Sequence, residues 1–285
     1  IPSNNLFNIL WKFVQLRKLI KSRNPSIVIS FLTRVNVATA LSSFGIKAST
    51  IICERTWPPF ASLDDRFFWM YRLIFKGVDK IIVQTDKSKT WLSKNFSSKD
   101  VEVIPNPILY PLPEHGRSVS PDSVILQNKK VILASGRLHK FKQFDLLIRA
   151  FSNIKDKHPD WNLVILGDGE ERNNLNQLVC NLEVVDRVYF PGKVGNMSEW
   201  YERANMFVLS SVVEGFPNVL LEAMAYGLPC ISFDCDTGPR DMIKQGVNGI
   251  LVNPNDKDVG LSNAIDKIIR NENLSSSIAN NAILL

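Results

Sequence analysis

The residues most suited to chemistry lie in one stretch, Glu214-Gly215-Phe216-Pro217-Asn218-Val219-Leu220-Leu221-Glu222. Pro217 followed by an apolar run, with Gly227 beyond, predicts a helix over about 217–226. Its free amides and positive end would then form a seat for phosphate. Glu222 falls one turn after Asn218 on the same face, where a carboxylate can accept both hydroxyls of a ribose. Glu214, in the loop before the helix, can reach the hydroxyls of a sugar. Two solvated carboxylates eight residues apart could arise by chance, but the Gly-Phe-Pro between them argues against it. Further upstream, Ser135-Gly136-Arg137-Leu138 leads to Lys142. Arg137 offers a fixed fork of donors and Lys142 a point charge, a combination suited to a diphosphate, although a lone Arg at a strand end is more often a surface residue. Gly167-Asp168-Gly169 lacks the spacing of a dinucleotide fingerprint, which lowers the case for hydride transfer. It reads equally as a tight turn or as a ligand contact. Asp236-Thr237-Gly238-Pro239-Arg240-Asp241 reads as a helix cap or as a further wall of the same crevice.

These segments need a scaffold, and the hydropathy pattern supplies one. Apolar runs rich in Val and Ile predict strands over 27–31, 50–53, 80–84, 101–104, 131–135, 163–166, 188–190, 206–209, 230–233 and 249–252. Near-continuous apolar strands separated by helical patterns mean an α/β fold with parallel sheets covered on both faces. Every candidate segment follows one of these strands, and the carboxyl ends of parallel strands are where open α/β sheets bind ligands.

The chain has 285 residues, 45% hydrophobic and 22% charged, with 14 Gly, 15 Pro and 4 Cys. Disorder, collagen-like repetition and a disulfide miniprotein are excluded, and the length suits two domains of about 100–200 residues each. Pro105, Pro107, Pro111, Pro113 and Pro121 crowd into 17 residues. Such density does not belong inside a core element. It predicts a first domain over 1–105, a linker over 106–123 and a second domain over 124–285. Charge divides at the same place: residues 1–105 carry 16 Lys and Arg against 7 Asp and Glu, the remainder 18 against 21. A basic block points to nucleic acid, an anionic membrane or a phosphate-bearing substrate, or is simply a solvated basic surface; no nucleic-acid partner is expected. The first helix, over about 5–21, puts Leu6, Leu10, Phe13, Leu16 and Ile20 on one side with Lys12, Arg17, Lys18, Lys21 and Arg23 nearby. Such a helix either covers a sheet or lies on an anionic membrane. The scattered Cys53, Cys180, Cys230 and Cys235 contain no CxxC pair and read as reduced thiols of a cytoplasmic protein. The start at Ile1-Pro2-Ser3 reads as a point partway through a longer protein.

Gly136-Arg137-Leu138, Lys142, Gly167-Asp168-Gly169, Glu214-Gly215-Phe216-Pro217 with Glu222, and Thr237-Gly238-Pro239-Arg240 resemble the carboxyl-terminal half of the retaining GT-B glycosyltransferases of family 4. The resemblance covers the second domain and implies two Rossmann-like domains with sheets facing a cleft, the first one incomplete because no Gly-rich strand-turn-helix precedes Ile27. It implies Arg137, Lys142 and Glu214 as catalytic residues, with the two cations on the donor diphosphate and Glu214 on the donor sugar. It assigns Glu222 to the ribose and the turn Gly192-Lys193-Val194 to the base. Gly136, Gly167, Asp168, Gly169, Gly215, Phe216, Pro217, Asn218 and Val219 complete the expected donor site. Glu54-Arg55-Thr56-Trp57-Pro58 is similar to a stretch in members that build bacterial surface polysaccharides. The expected reaction is retaining transfer of a hexose or N-acetylhexosamine from a nucleoside-diphosphate sugar, UDP-linked, to a saccharide or polyprenyl-diphosphate-linked acceptor at the inner membrane face. No cofactor or metal is expected, the diphosphate charge being met by Arg137, Lys142 and the helix near Pro217. A binding-only fragment and a nucleotide-sugar epimerase are the alternatives.

Overall fold

A computed structural model describes residues 6–57, 75, 77–96 and 100–283. The chain forms two compact units, Ile1–Asn106 and Pro107–Leu285.

In the first unit, strands β1 (Ile27–Phe31), β2 (Ser49–Cys53), β3 (Lys80–Val83) and β4 (Val101–Val103) form a parallel sheet in the order β1-β2-β3-β4. Helix α1 (Leu6–Arg23) precedes it, α2 (Thr33–Ser43) joins β1 to β2, and α3 (Asp86–Phe96) joins β3 to β4. Val37, Ile52, Ile81, Val83, Leu92 and Val101 make a small core. The expected apolar side of α1 is only partly covered: Ile20 is buried and Phe13 and Leu16 half-buried, but Leu10 is exposed, as are Trp11, Val14 and Leu19. The side chain of Leu6 lies outside the described residues, as does Pro58. Arg17 turns inward to donate to the carbonyls of Ser42 (2.8 Å) and Phe44 (2.7 Å), tying α1 to the end of α2.

The second unit holds strands β5 (Lys130–Ser135), β6 (Trp161–Leu166), β7 (Val188–Gly192), β8 (Met206–Leu209), β9 (Cys230–Phe233) and β10 (Ile250–Val252). All pair in parallel in the order β10-β9-β8-β5-β6-β7. Read from the other edge, this is the 3-2-1-4-5-6 order of a Rossmann sheet, with β5 and β8 meeting where the winding reverses. Alternate residues of the central strands feed two cores: Ile132, Ala134, Leu163 and Ile165 on one face, Val131, Leu133, Val164 and Leu166 on the other. All are essentially without solvent contact, which is why these strands read as unbroken apolar runs.

Helices α4 (Phe144–Ile154), α5 (Arg172–Asn181) and α9 (Lys257–Arg270) cover the first face, α6 (Met197–Arg203) and α7 (Asn218–Ala225) the second. The single turn α8 (Pro239–Met242) follows β9, and α10 (Glu272–Ala282) closes the described chain. The proline-rich stretch after Asn106 is laid along the second unit. Leu112 donates its N–H to Tyr226 Oη (3.0 Å), and Asn196 exchanges two hydrogen bonds with the backbone of Val119. Among the described residues no helix is long and apolar enough to cross a membrane.

Candidate functional site

The winding reversal between β5 and β8 opens a crevice at their carboxyl ends, and the sequence motifs fall there and on the neighbouring strand ends. After β5 the chain runs through Gly136 and Arg137 into a 3-10 turn at Lys140–Lys142. After β6 it runs through Gly167-Asp168-Gly169, and after β7 through Lys193 and Val194. Backbone bonds lace these loops together: Gly136 N–H to Leu166 O (3.0 Å), Leu138 N–H to Asp168 O (3.0 Å) and Gly167 N–H to Gly192 O (2.8 Å). Gly167 has φ +123°, and a Cβ there would sit 1.9 Å from the Gly136 carbonyl oxygen. Glycine is required because two backbones touch. The loops line a cavity of about 840 Å³ that includes Gly136, Arg137, Gly167, Asp168, Gly169, Lys193 and Val194.

The segment after β8 supplies the carboxylates. Lys142 and Glu214 are already paired, Nζ to Oε1 at 2.5 Å, with side chains 24% and 12% exposed. Each end is clamped through its backbone: Ser210 Oγ donates to Lys142 O (2.7 Å), and the buried Thr237 Oγ1 donates to Glu214 O (2.6 Å). Gly238, at φ +85°, lets that brace pack against Pro217 and Gly215. Thr237-Gly238-Pro239 therefore supports the Glu214 loop from behind and does not line the cavities at the strand ends. Arg240 is engaged by Asp234 (3.0 Å). The Lys142 stem lies over Gly136, its Cε 3.4 Å from where a Cβ would be, and Gly136 itself lines the larger cavity.

Arg137 projects into solvent, 72% exposed, and its fork is held by Glu170 at 3.1 Å. His139 reaches the other oxygen of Glu170 at 3.3 Å. Glu170 is held below the usual carboxylate range, first by its own backbone amide and then by Arg137 and His139.

Pro217 takes the cap position of α7 instead of its first turn, and its carbonyl accepts the Leu220 N–H (3.1 Å). Phe216 and Val219 pack partly into the core beneath, so their part is structural support. Asn218 and Glu222 line a second cavity, about 400 Å³, which shares Val194 and Met197 with the first and is walled by Pro107, Leu109 and His115. Of the sequence-predicted site residues, Gly136, Arg137, Gly167, Asp168, Gly169, Lys193 and Val194 thus line the first cavity and Val194, Asn218 and Glu222 the second, whereas Lys142, Glu214, Gly215, Phe216, Pro217 and Val219 line neither. Burial pushes the Glu222 carboxyl up, opposed by a hydrogen bond from Tyr201 Oη to Oε2 (2.9 Å). Tyr201, the strap residues Pro107 to His115 and the brace at Thr237 went unrecognised by sequence reasoning. Only the last stood within a motif.

The expectation of no metal took the chain to have no Asp-x-Asp, yet that spacing occurs at Asp234-Cys235-Asp236 and Asp256-Lys257-Asp258. Asp234 is spent on Arg240, and Asp258 accepts from Asn153 (3.2 Å). Among the described residues no group of three or more His, Cys, Asp or Glu could hold a metal ion. The expectation of a metal-independent reaction rests on the cations Arg137 and Lys142 and on the start of α7.

Residues 118–284 match the family described as glycosyl transferases group 1. An uncharacterized glycosyltransferase of Haemophilus influenzae is 32% identical over 208 residues, covering 73% of this chain and 56% of its own. The Campylobacter jejuni GalNAc-alpha-(1->4)-GalNAc-alpha-(1->3)-diNAcBac-PP-undecaprenol alpha-1,4-N-acetyl-D-galactosaminyltransferase is 28% identical over 274 residues, covering 95% of this chain and 72% of its own. The solved structure of Anabaena HepE in complex with UDP and glucose superposes with a TM-score of 0.81 at 20% identity, over 94% of this chain and 75% of that one. At that identity the likeness is one of fold. The chain spans little more than half the length of the Haemophilus relative.

Proposed function

The chain belongs to the group 1 glycosyl transferases and has the α/β fold of the GT-B enzymes, and from that premise we propose that it is a retaining, metal-independent glycosyltransferase of bacterial surface polysaccharide synthesis. It moves a hexose or N-acetylhexosamine from a UDP-sugar to a saccharide or lipid-linked saccharide. The observation that carries this reading is the meeting of the Gly136–Lys142 and Glu214–Glu222 segments where β5 and β8 reverse the winding of a Rossmann sheet.

In this reading the nucleoside lies across Val194 and Met197, the residues common to both cavities, with its ribose hydroxyls on Glu222. The diphosphate lies against Lys142, Arg137 and the positive amino-terminal end of α7. As the bond to the sugar breaks, negative charge gathers on the leaving diphosphate. Fixed cations then bind the transition state more tightly than the bound donor, and that difference is what lowers the barrier. Glu214 orients the sugar by its hydroxyls. The acceptor hydroxyl attacks from the leaving-group side and passes its proton to the leaving phosphate oxygen.

The acceptor class is supported by the Campylobacter relative, whose name specifies a PP-undecaprenol-linked saccharide. We place the protein in the cytoplasm and at the inner face of the cytoplasmic membrane. The support is α1, where Lys12, Lys18, Lys21 and Arg23 stand beside exposed Leu10, Trp11, Val14 and Leu19.

The test is incubation with a panel of labelled UDP-hexoses and UDP-N-acetylhexosamines, with and without lipid-linked saccharide extracted from membranes. UDP release accompanied by a labelled, anomerically retained product is expected. Binding of UDP without release identifies a binding-only fragment, and an altered sugar still attached to UDP identifies an epimerase.

A further inference from the structure

Tyr201 stands on α6 with no solvent contact, its ring flanked by Phe207 (centroids 6.1 Å apart) and Tyr226 (5.4 Å). Rotation of the ring is therefore restricted and its hydroxyl is aimed. That hydroxyl has two acceptors in reach, Glu222 Oε2 at 2.9 Å and Val219 O at 3.3 Å. The carboxylate is nearer and charged, so it takes the proton. Glu222 Oε1 receives no hydrogen bond from the described residues, and the side chain borders the cavity of about 400 Å³. Tyr226 is fixed in turn, its own oxygen accepting the Leu112 N–H at 3.0 Å. A carboxylate gripped by one oxygen from a rigid, buried phenol keeps the other oxygen pointed and in demand of donors.

We propose that Tyr201 is a positioning residue for donor binding: it holds Glu222 by Oε2 so that the carboxylate presents its remaining lone pairs to the ribose hydroxyls. This rests on the reading of Glu222 as the ribose ligand. Removing the phenol oxygen would do two things. It would free Glu222 to swing, and it would withdraw the one hydrogen bond that opposes the upward push of burial on that carboxyl. Glu222 would then stay protonated to higher pH and lose its value as a double acceptor. The titratable groups facing this pair are Tyr226, Cys230 and, across the cavity, His115. Burial drives the Cys230 thiol up, away from the working range. A His115→Gln variant accompanies every titration as the control for the imidazole that lines the far wall of the cavity.

The experiment compares UDP with 2′,3′-dideoxy-UDP by calorimetry on the full chain, for wild type, Tyr201→Phe, Glu222→Ala and the double variant. Wild type should prefer UDP by at least about tenfold, the worth of hydrogen bonds to a charged acceptor. Glu222→Ala should abolish that preference. If it does not, the reading of Glu222 has failed. Tyr201→Phe should lose most of the preference at the acid end of the titration and regain part of it as the pH is raised, with dideoxy-UDP affinity unchanged. In the Glu222→Ala background it should change nothing further. A Tyr201→Phe loss that is equal for both nucleotides, or flat with pH, overturns the proposal while leaving Glu222 in place. Should Tyr201→Phe fail to melt cooperatively, the wild-type protein carries a second readout. The Cζ resonance of ¹³C-labelled Tyr201 should titrate with the same midpoint as the UDP preference and shift when UDP binds; a resonance indifferent to both overturns the proposal equally.

Discussion

Glu214→Gln should raise the affinity for UDP while lowering transfer from the UDP-sugar. Lys142 is paired with Glu214 at 2.5 Å, and both partners are clamped through their carbonyls. An incoming diphosphate must share Lys142 with that carboxylate and also approach its negative charge. Two unit charges with centres about 4 Å apart interact by about 4 kcal/mol at an effective dielectric constant near 20. The side chains are 24% and 12% exposed, so solvent removes much of this. A net effect of about 1–2 kcal/mol remains, between that value and the worth of a surface pair. The amide keeps the shape and removes the charge, so UDP should bind about five- to thirtyfold more tightly. Titration calorimetry at low and high salt reads this directly, and the gain should shrink as salt screens the lost repulsion. Turnover with UDP-sugar should fall, because the sugar loses its carboxylate acceptor. Unchanged or weaker UDP binding by a variant with an intact melting transition would refute the idea that Lys142 is the diphosphate cation.

Arg137→Ala should weaken UDP binding by about 1 kcal/mol, less than Lys142→Ala, because the Arg137 side chain is 72% exposed and its charge is screened; calorimetry at several salt concentrations separates the two variants. Gly167→Ala places a Cβ 1.9 Å from the Gly136 carbonyl at φ +123°, so it should destabilise by about 3 kcal/mol or more and abolish UDP binding. Gly246→Ala meets nothing within 4 Å and carries only the backbone cost of φ +73°, about 1 kcal/mol, and the two melting temperatures should differ accordingly. Asp266 is held below the usual carboxylate range by His158 first and Arg270 second. A lowered folded value means stability present above the unfolded value near 3.9 and lost as pH falls through the folded one. Asp266→Asn should therefore lower the melting temperature at neutral pH, an effect that fades as pH falls through the lowered folded value. Reversing the charges of Lys12, Lys18 and Lys21 should stop the protein pelleting with anionic vesicles; unchanged pelleting would remove α1 from the membrane contact.

The scaffold was legible because it is built from the strongest signal a sequence carries. All ten strands among the described residues stand where runs of Val, Ile and Leu predict them, since each central strand buries both faces. Their edges shift where a polar residue hides inside the ladder. β6 begins at Trp161, two residues before the apolar run, because buried Asn162 pairs opposite Val131. The outer face of α1 was misjudged for a related reason: a helical pattern shows which residues could be covered, and the cover itself is set by the neighbouring elements. Arg17, counted as part of a basic surface, spends its guanidinium on two carbonyls near the end of α2.

At the site the same division recurs, between the groups proposed to meet the ligand and the groups that hold them. Gly136, Lys142, Glu214 and Glu222 announce themselves by lying just past apolar strands, where a parallel sheet has a crevice by construction. Their supports carry no such mark. Tyr201 lies 21 positions before Glu222 on a helix whose pattern asks only for a buried aromatic, and the fold alone turns its hydroxyl to the carboxylate. Thr237 looked like a cap and braces the Glu214 carbonyl instead, because α8 is a single turn whose cap is served by Asp241 on the Gly238 N–H (2.8 Å). A buried hydroxyl finds a partner or carries a penalty of about 1–3 kcal/mol, so every buried Tyr or Thr must end on some acceptor. Which acceptor it meets depends on the packing of β8, α6 and α7, contacts distant in sequence. The candidate ligand residues can therefore be read from position along the strands, and the residues that hold them in place are found where the packed helices meet.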